Sequence, residues 1–254
     1  MSLFDNDLKN TNKENIKVLV VDFENFSDEE KLFIKKNLVE ICYGKDSSYS
    51  PRIVAKKLLK FFSKAAERTK KGAIAEFFQT MIIRNQGFAQ NHCYRNLEEG
   101  SIKKGFDGLF LKNGSTWIME SKSSYKLTSH RNKHKGTIDK AYNGIDKMLK
   151  GESDNDPWEN AAKHSKVFGS SKSLVKKLEQ LSSDYFDEHY QKIEDTNILI
   201  GSTIISVEIS GIEKDITSLE NYIITHNAQN EIIVALNLST IELFINLLEE
   251  IANE

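Results

Sequence analysis

Cysteine is scarce in this chain. Cys42 and Cys93 are the only two, too few for a disulfide framework and without metal-ligand spacing, so a reducing compartment is expected. Long apolar runs are missing too: no stretch nears the ~20 residues of a membrane span, and no secretory basic region and apolar core follow Met1, so the expectation is a soluble, cytoplasmic protein with no membrane contact. No Gly-x-x-x-x-Gly-Lys occurs, so an ATP-driven step would have to come from a partner. Excess charge is also lacking. With a formal net charge of −2 over 254 residues, affinity for nucleic acid would need a local basic patch rather than a global field. Repeats and low-complexity segments are absent as well.

What the chain does have is a hairpin signal of unusual clarity. Gly105 to Lys122 consists of two apolar-rich runs joined by Asn113-Gly114, a pair suited to a type I′ turn. That turn fixes the register: Lys112 faces Ser115, Leu111 faces Thr116, Leu109 faces Ile118, and Asp107 falls opposite Glu120. Because side chains alternate, Asp107 and Leu109 share a face with Ile118, Glu120 and Lys122. Two apposed carboxylates repel, and partial burial strengthens the repulsion, so a cation between them is the natural counterpart. The competing reading is a salt-bridged, exposed hairpin in which Lys122 pairs with either acid.

Two carboxylates and a lysine are the groups that metal-dependent phosphodiester hydrolysis requires. Mg²⁺ is commonly held by one or two carboxylates while keeping positions for water and phosphate oxygens, and a neighbouring lysine can orient the water or neutralise the phosphate. At Asp107, Glu120 and Lys122 the chain resembles the PD-(D/E)xK nuclease superfamily, with Phe106 where a proline often precedes the first acid. The resemblance implies a restriction-endonuclease-like α/β core of order α-β-β-β-α-β, a mixed sheet flanked by helices, and Mg²⁺ or Mn²⁺ as cofactor. Acid-x-lysine also occurs at Asp7-Leu8-Lys9 and Glu29-Glu30-Lys31, but neither lies in an expected strand.

Periodicity supplies the frame around the hairpin. A buried strand is expected at Ile16 to Phe23, then a helix opened by the Ser27/Glu30 capping box and ended by Gly44. A second helix starts at Pro51 and runs to about Glu67, and a third spans Gly72 to Asn85. A strand near Phe88 to Arg95 precedes the hairpin, and a helix from about Asn132 to Lys150 follows it. After a polar linker at 151–157 come helical segments to Tyr190, a β-branched run from Ile198 to Ile209, a strand from Glu231 to Leu238 and a closing helix opened by Ser239 or Thr240. We read residues 1–50 as an N-terminal strand-helix addition and 51–254 as the nuclease-like domain with a C-terminal extension.

Glu76 is the sole carboxylate between Arg68 and Leu97. In the superfamily an acid from the preceding helix often joins the metal site, which makes Glu76 the fourth candidate; otherwise it is a helix-surface glutamate. From Ser121 to Ile138 there is no acid, and Lys126, Arg131, Lys133 and Lys135 are the candidate contacts to DNA phosphates, against the alternative of a solvated face. His130 and His134 are spaced i, i+4 without a zinc signature, so phosphate contact or plain surface is expected of them. Asp22 and Glu24 read as strand-end and turn residues, and Trp117 as core.

From about residue 50 to 254 the layout is similar to the small nuclease subunits of bacterial anti-phage systems, the Hachiman-type HamA and related AbpA proteins. That likeness implies a nuclease acting on DNA with a superfamily 2 helicase partner. Two other functions stay open: a non-catalytic DNA-binding or regulatory subunit, and a sequence-specific restriction-type endonuclease.

Overall fold

The computed structural model describes residues 3–4, 6–95, 105–125, 133–209, 212 and 216–254. The run Ile16–Phe23 forms a strand, as its β-branched content predicts, and it is buried on both faces. It is β2, preceded by the two-residue β1 (Lys9–Asn10). Ser27 and Glu30 close the expected capping box at the start of α1 (Asp28–Tyr43), which ends at Gly44. The Ser50 hydroxyl accepts from the Ile53 amide and Pro51 occupies the first turn of α2 (Pro51–Lys64).

Then come α3 (Glu67–Asn85), β3 (Ala89–Gln90), β4 (Gly108–Lys112) and β5 (Ser115–Tyr125). Helices α4 (Lys133–Leu149), α5 (Pro157–Phe168) and α6 (Lys172–Phe186) lead through a 3₁₀ turn at Ile193–Asp195 to β6 (Asn197–Ile205). The chain closes with α7 (Ile216–Tyr222), β7 (Asn230–Leu238) and α8 (Glu242–Asn253).

The seven strands make one mixed sheet in the order β1-β2-β7-β6-β5-β4-β3. Its centre, β2-β7-β6-β5, is parallel, while β1, β4 and β3 join antiparallel at the two sides. Strands covered on both faces read as continuous apolar runs, and their alternate residues serve two cores. Leu19, Val21, Leu199, Val234 and Leu236 pack with α1, α2, α3 and α8. Val18, Ile198, Ile200, Ile233 and Ala235 pack with α4, α5, α6 and α7.

Several boundaries differ from the sequence expectation. Ala65 and Ala66 take extended ψ values of 141° and 147°, so α2 stops at Lys64 and α3 begins at Glu67 rather than Gly72. The strand expected at Phe88 to Arg95 shrinks to Ala89–Gln90 because the chain leaves the sheet there: Tyr94 donates its amide to Ile41, and Asn91 folds its side chain back onto Ala89. Strand β6 ends at Ile205, where the Ser206 hydroxyl turns to the Glu208 carbonyl. Helix α7 was not anticipated.

Candidate functional site

The hairpin forms in the register its turn dictates. Asn113 and Gly114 both adopt positive φ, 51° and 77°, and Lys112, Leu111 and Leu109 pair with Ser115, Thr116 and Ile118. The last ladder pair is Gly108 with Met119, one step before Asp107 and Glu120, and the Asp107 amide still donates to the Met119 carbonyl at 2.9 Å. Phe106, fully buried edge-on against Trp158 with ring centroids 4.9 Å apart, anchors the chain just before Asp107. Trp117 points to the other face and packs edge-on against Phe88.

Glu120 is 7% exposed. Its Oε1 accepts from the Lys122 ammonium, whereas its Oε2 is buried without a hydrogen-bond partner. Asp107 is half-buried and turns its Oδ2 to the Ser121 amide at 2.8 Å. Burial, and then the Asp107 charge, push the Glu120 carboxyl up to about 8; Lys122 offsets part of this and Glu76 adds to it. Burial pulls the Lys122 ammonium down, but Glu120, Asp107 and Glu76 outweigh that and raise it. The Glu76 charge on α3 therefore acts on both residues, so the structure brings all four expected groups into one electrostatic unit.

One contributor escaped the sequence expectation. A Cβ built on Gly144 in α4 would lie 3.5 Å from Glu120 Oε1 and 3.7 Å from its Cγ, in van der Waals contact, so α4 passes directly over the carboxylate and leaves room there for nothing larger than alanine. A glycine inside a periodic helix costs about 1 kcal/mol relative to alanine and usually marks such a contact, which is the signal that could have found it.

The basic stretch divides. Lys126, His130 and Arg131 lie outside the described residues. Lys133 donates to the Tyr125 carbonyl at 2.8 Å, and Lys135 is exposed and pairs with Asp139 at 2.5 Å. His134 departs from expectation: it is 2% exposed, with Nδ1 2.7 Å from Ser202 Oγ and Nε2 3.0 Å from Asn237 Oδ1. It faces inward because the apolar stripe of α4 brings that side of the helix onto the sheet. Asn237 in turn donates to Asp22 at 2.9 Å, so Asp22 belongs to a buried polar chain rather than to a second acidic site.

A hard cation suits this donor set. An orphaned carboxylate oxygen, a second carboxylate across the hairpin and oxygen donors alone are what Mg²⁺ or Mn²⁺ takes, and Mg²⁺ needs only one or two carboxylates alongside water and phosphate oxygens. Among the described residues no three His, Cys, Asp or Glu side chains form a ready-made ion site, so water and substrate would have to complete the coordination.

Fold and site together define a mixed α/β protein with an acid-acid-lysine centre, built around the buried Glu120, at the open end of a sheet hairpin. The chain belongs to the HamA family, whose model matches residues 2–252. That membership ties it to Hachiman anti-phage defence. No curated protein matches it in sequence. Among the described residues no helix is long and apolar enough to cross a membrane.

Proposed function

We propose that the chain is a metal-dependent deoxyribonuclease of PD-(D/E)xK type, working in anti-phage defence beside a helicase. The observation that carries this reading is the buried, unpartnered Oε2 of Glu120 next to Asp107 and Lys122. Burying an orphaned carboxylate oxygen costs about 1–3 kcal/mol; the His226–Glu231 and Lys150–Asp146 pairs also leave one, but at Glu120 the charges of two further carboxylates, Asp107 and Glu76, add to that cost. The order α3-β3-β4-β5-α4-β6, with α5, α6 and a 3₁₀ turn inserted between α4 and β6, supports a restriction-endonuclease-like core. The lack of a phosphate-cradling loop in the chain, together with HamA membership, supports a separate motor protein.

Glu120 and Asp107 would hold a divalent cation, with Glu76 close enough in charge to join through water. Bound there, the cation would supply positive charge to the phosphate and a more acidic water. Lys122 keeps its proton, since the three acids raise its pKa. Its ammonium, 38% exposed at the side chain, can leave Glu120 to hold the attacking water or a phosphate oxygen. Leu109 and Ile118, both buried beside the acids, keep bulk water from screening them.

The test is incubation of pure protein with supercoiled plasmid and linear DNA in Mg²⁺, Mn²⁺ or EDTA. Cleavage that requires metal and disappears in Glu120→Gln is expected. DNA binding without cleavage under every metal condition, with or without the motor partner, would instead make the chain a non-catalytic subunit.

A further inference from the structure

We infer that the exposed face of α2 and the first two turns of α3 form a track along which a single strand of nucleic acid runs into the site. This rests on the nuclease reading and adds the form and path of the substrate. Between Asp46 and Glu76 the sequence carries eight lysines and arginines and one acid, Glu67. Glu67 is taken up by Lys70 and Lys71, at 3.3 and 3.1 Å. Lys56, Lys60, Lys64 and Arg68 are exposed and have no carboxylate partner among the described residues.

A solvated helix face explains the charge but not the rings left on it. Ile53, Lys57, Phe61 and Lys64 follow at i, i+4, i+8 and i+11, one stripe of α2. Phe61 is 43% exposed, as is Tyr49 just before the helix. Lys57 lies over the Tyr49 ring at 3.8 Å. Large rings set among unpaired cations suit stacked, unpaired bases with phosphates between them; a duplex hides its base faces and would leave the rings unused.

The track leads along α3 to Glu76, whose charge acts on the site. Only Ala65 and Ala66 separate α2 from α3. Lys71 sits over the Tyr125 ring at 4.4 Å, on the face of β5 opposite Glu120 and Lys122, and further along α3 the Glu76 charge reaches both of those residues. Arg68 lies about 12 Å along α3 from Glu76, and α2 extends the surface by about 21 Å.

The experiment is fluorescence anisotropy of full-length protein in EDTA, with a labelled oligothymidylate and a duplex, each of about 20 units, longer than the 4–16 nucleotides of known single-strand sites. For the Lys60→Ala/Lys64→Ala/Arg68→Ala variant, the slope of log affinity against log salt on the oligonucleotide should become shallower by about 2, at ~0.7 per lost contact. Phe61→Ala should weaken oligonucleotide binding at least about fivefold and leave the duplex unaffected. Both variants alter exposed positions, so an unchanged thermal midpoint verifies their folding. Failure of wild type to bind the oligonucleotide at ~100 µM in low salt, a wild-type slope in the triple variant, or equal loss on duplex in Phe61→Ala overturns the track. Metal-dependent cleavage alongside an unchanged slope removes the track and leaves the nuclease. A shallower slope in a protein that never cleaves does the reverse.

Discussion

Replacing Glu120 by glutamine tests the site without touching a substrate. In the folded protein the Glu120 carboxyl is pushed up to about 8, first by burial and then by Asp107; unfolded, it titrates near the usual glutamate value. Between roughly pH 4.5 and 8 the native state therefore holds one more proton than the unfolded chain, and stability falls as pH rises, by up to about 1.4 kcal/mol per pH unit. Over the whole window this amounts to about 3–5 kcal/mol. Lys122 titrates above this range, so it does not blur the profile. Glutamine keeps the shape and removes the charge. Its buried amide adds a penalty that does not change with pH, so the slope rather than the offset is the readout. Urea unfolding of wild type and Glu120→Gln in EDTA, from pH 5 to 8.5, should give a difference that grows against wild type toward alkaline pH. Mg²⁺ at ten times its Kd should then return about 1.4 kcal/mol to wild type at pH 8 and nothing to the variant. A pH-independent difference would mean that Glu120 is already ionised at pH 5, and the buried-carboxylate argument for a metal would fall with it.

Metal affinity of wild type should rise about tenfold per pH unit up to pH 8, because a cation displaces the Glu120 proton; calorimetry in two buffers of different ionisation enthalpy would reveal the released proton, and its absence would contradict the assignment. Lys122→Ala should abolish turnover yet bind Mn²⁺ at least as well as wild type, as its ammonium opposes the cation; retention of full cleavage would remove Lys122 from the mechanism. Gly144→Val would put a branched side chain where even a Cβ lies 3.5 Å from Glu120, and both metal-induced stabilisation and cleavage should drop while the fold survives. His134→Ala should cost about 2–4 kcal/mol by opening a cavity and orphaning the Asn237 Oδ1, while Ser202 keeps Thr137, measured as a lower urea midpoint, and a loss below 0.5 kcal/mol would argue against the network.

Local rules account for the parts of the fold that were legible in the sequence. The Asn113-Gly114 turn carries its own register, and that register alone set Asp107 across from Glu120; the Ser27/Glu30 box and Pro51 marked helix starts that the structure keeps. Misplaced boundaries lacked such punctuation. The break at Ala65-Ala66 contains two good helix formers, and only packing of α2 against α1 and α8 ends the helix there. The strand at Ala89–Gln90 stops because neighbouring side chains capture its backbone, an event that alternation of apolar residues cannot reveal. His134 looks like one more cation in a basic stretch until α4 is laid on the sheet, when the helical period turns it inward to Ser202 and Asn237.

The same contrast bears on where substrate is held. Sequence adjacency favours 126–135 as the phosphate-binding stretch, since it follows Lys122 directly. Spatial adjacency is set instead by α3, which brings Lys71 over Tyr125 and the Glu76 charge onto Glu120 and Lys122. Of the two described lysines of 126–135, Lys133 is committed to the Tyr125 carbonyl and Lys135 to Asp139. On α2 and early α3, by contrast, the cations stand exposed beside the Tyr49 and Phe61 rings, each of which rests on one neighbouring ring and leaves its other side to solvent. Charge that already has an internal partner contributes little to binding a phosphate, because the pair must be broken first; charge left in water contributes through counterion release at every contact. Among the described residues, electrostatics thus favours the helical surface ahead of the motif over Lys133 and Lys135, although only their segment is contiguous with Lys122 in the chain.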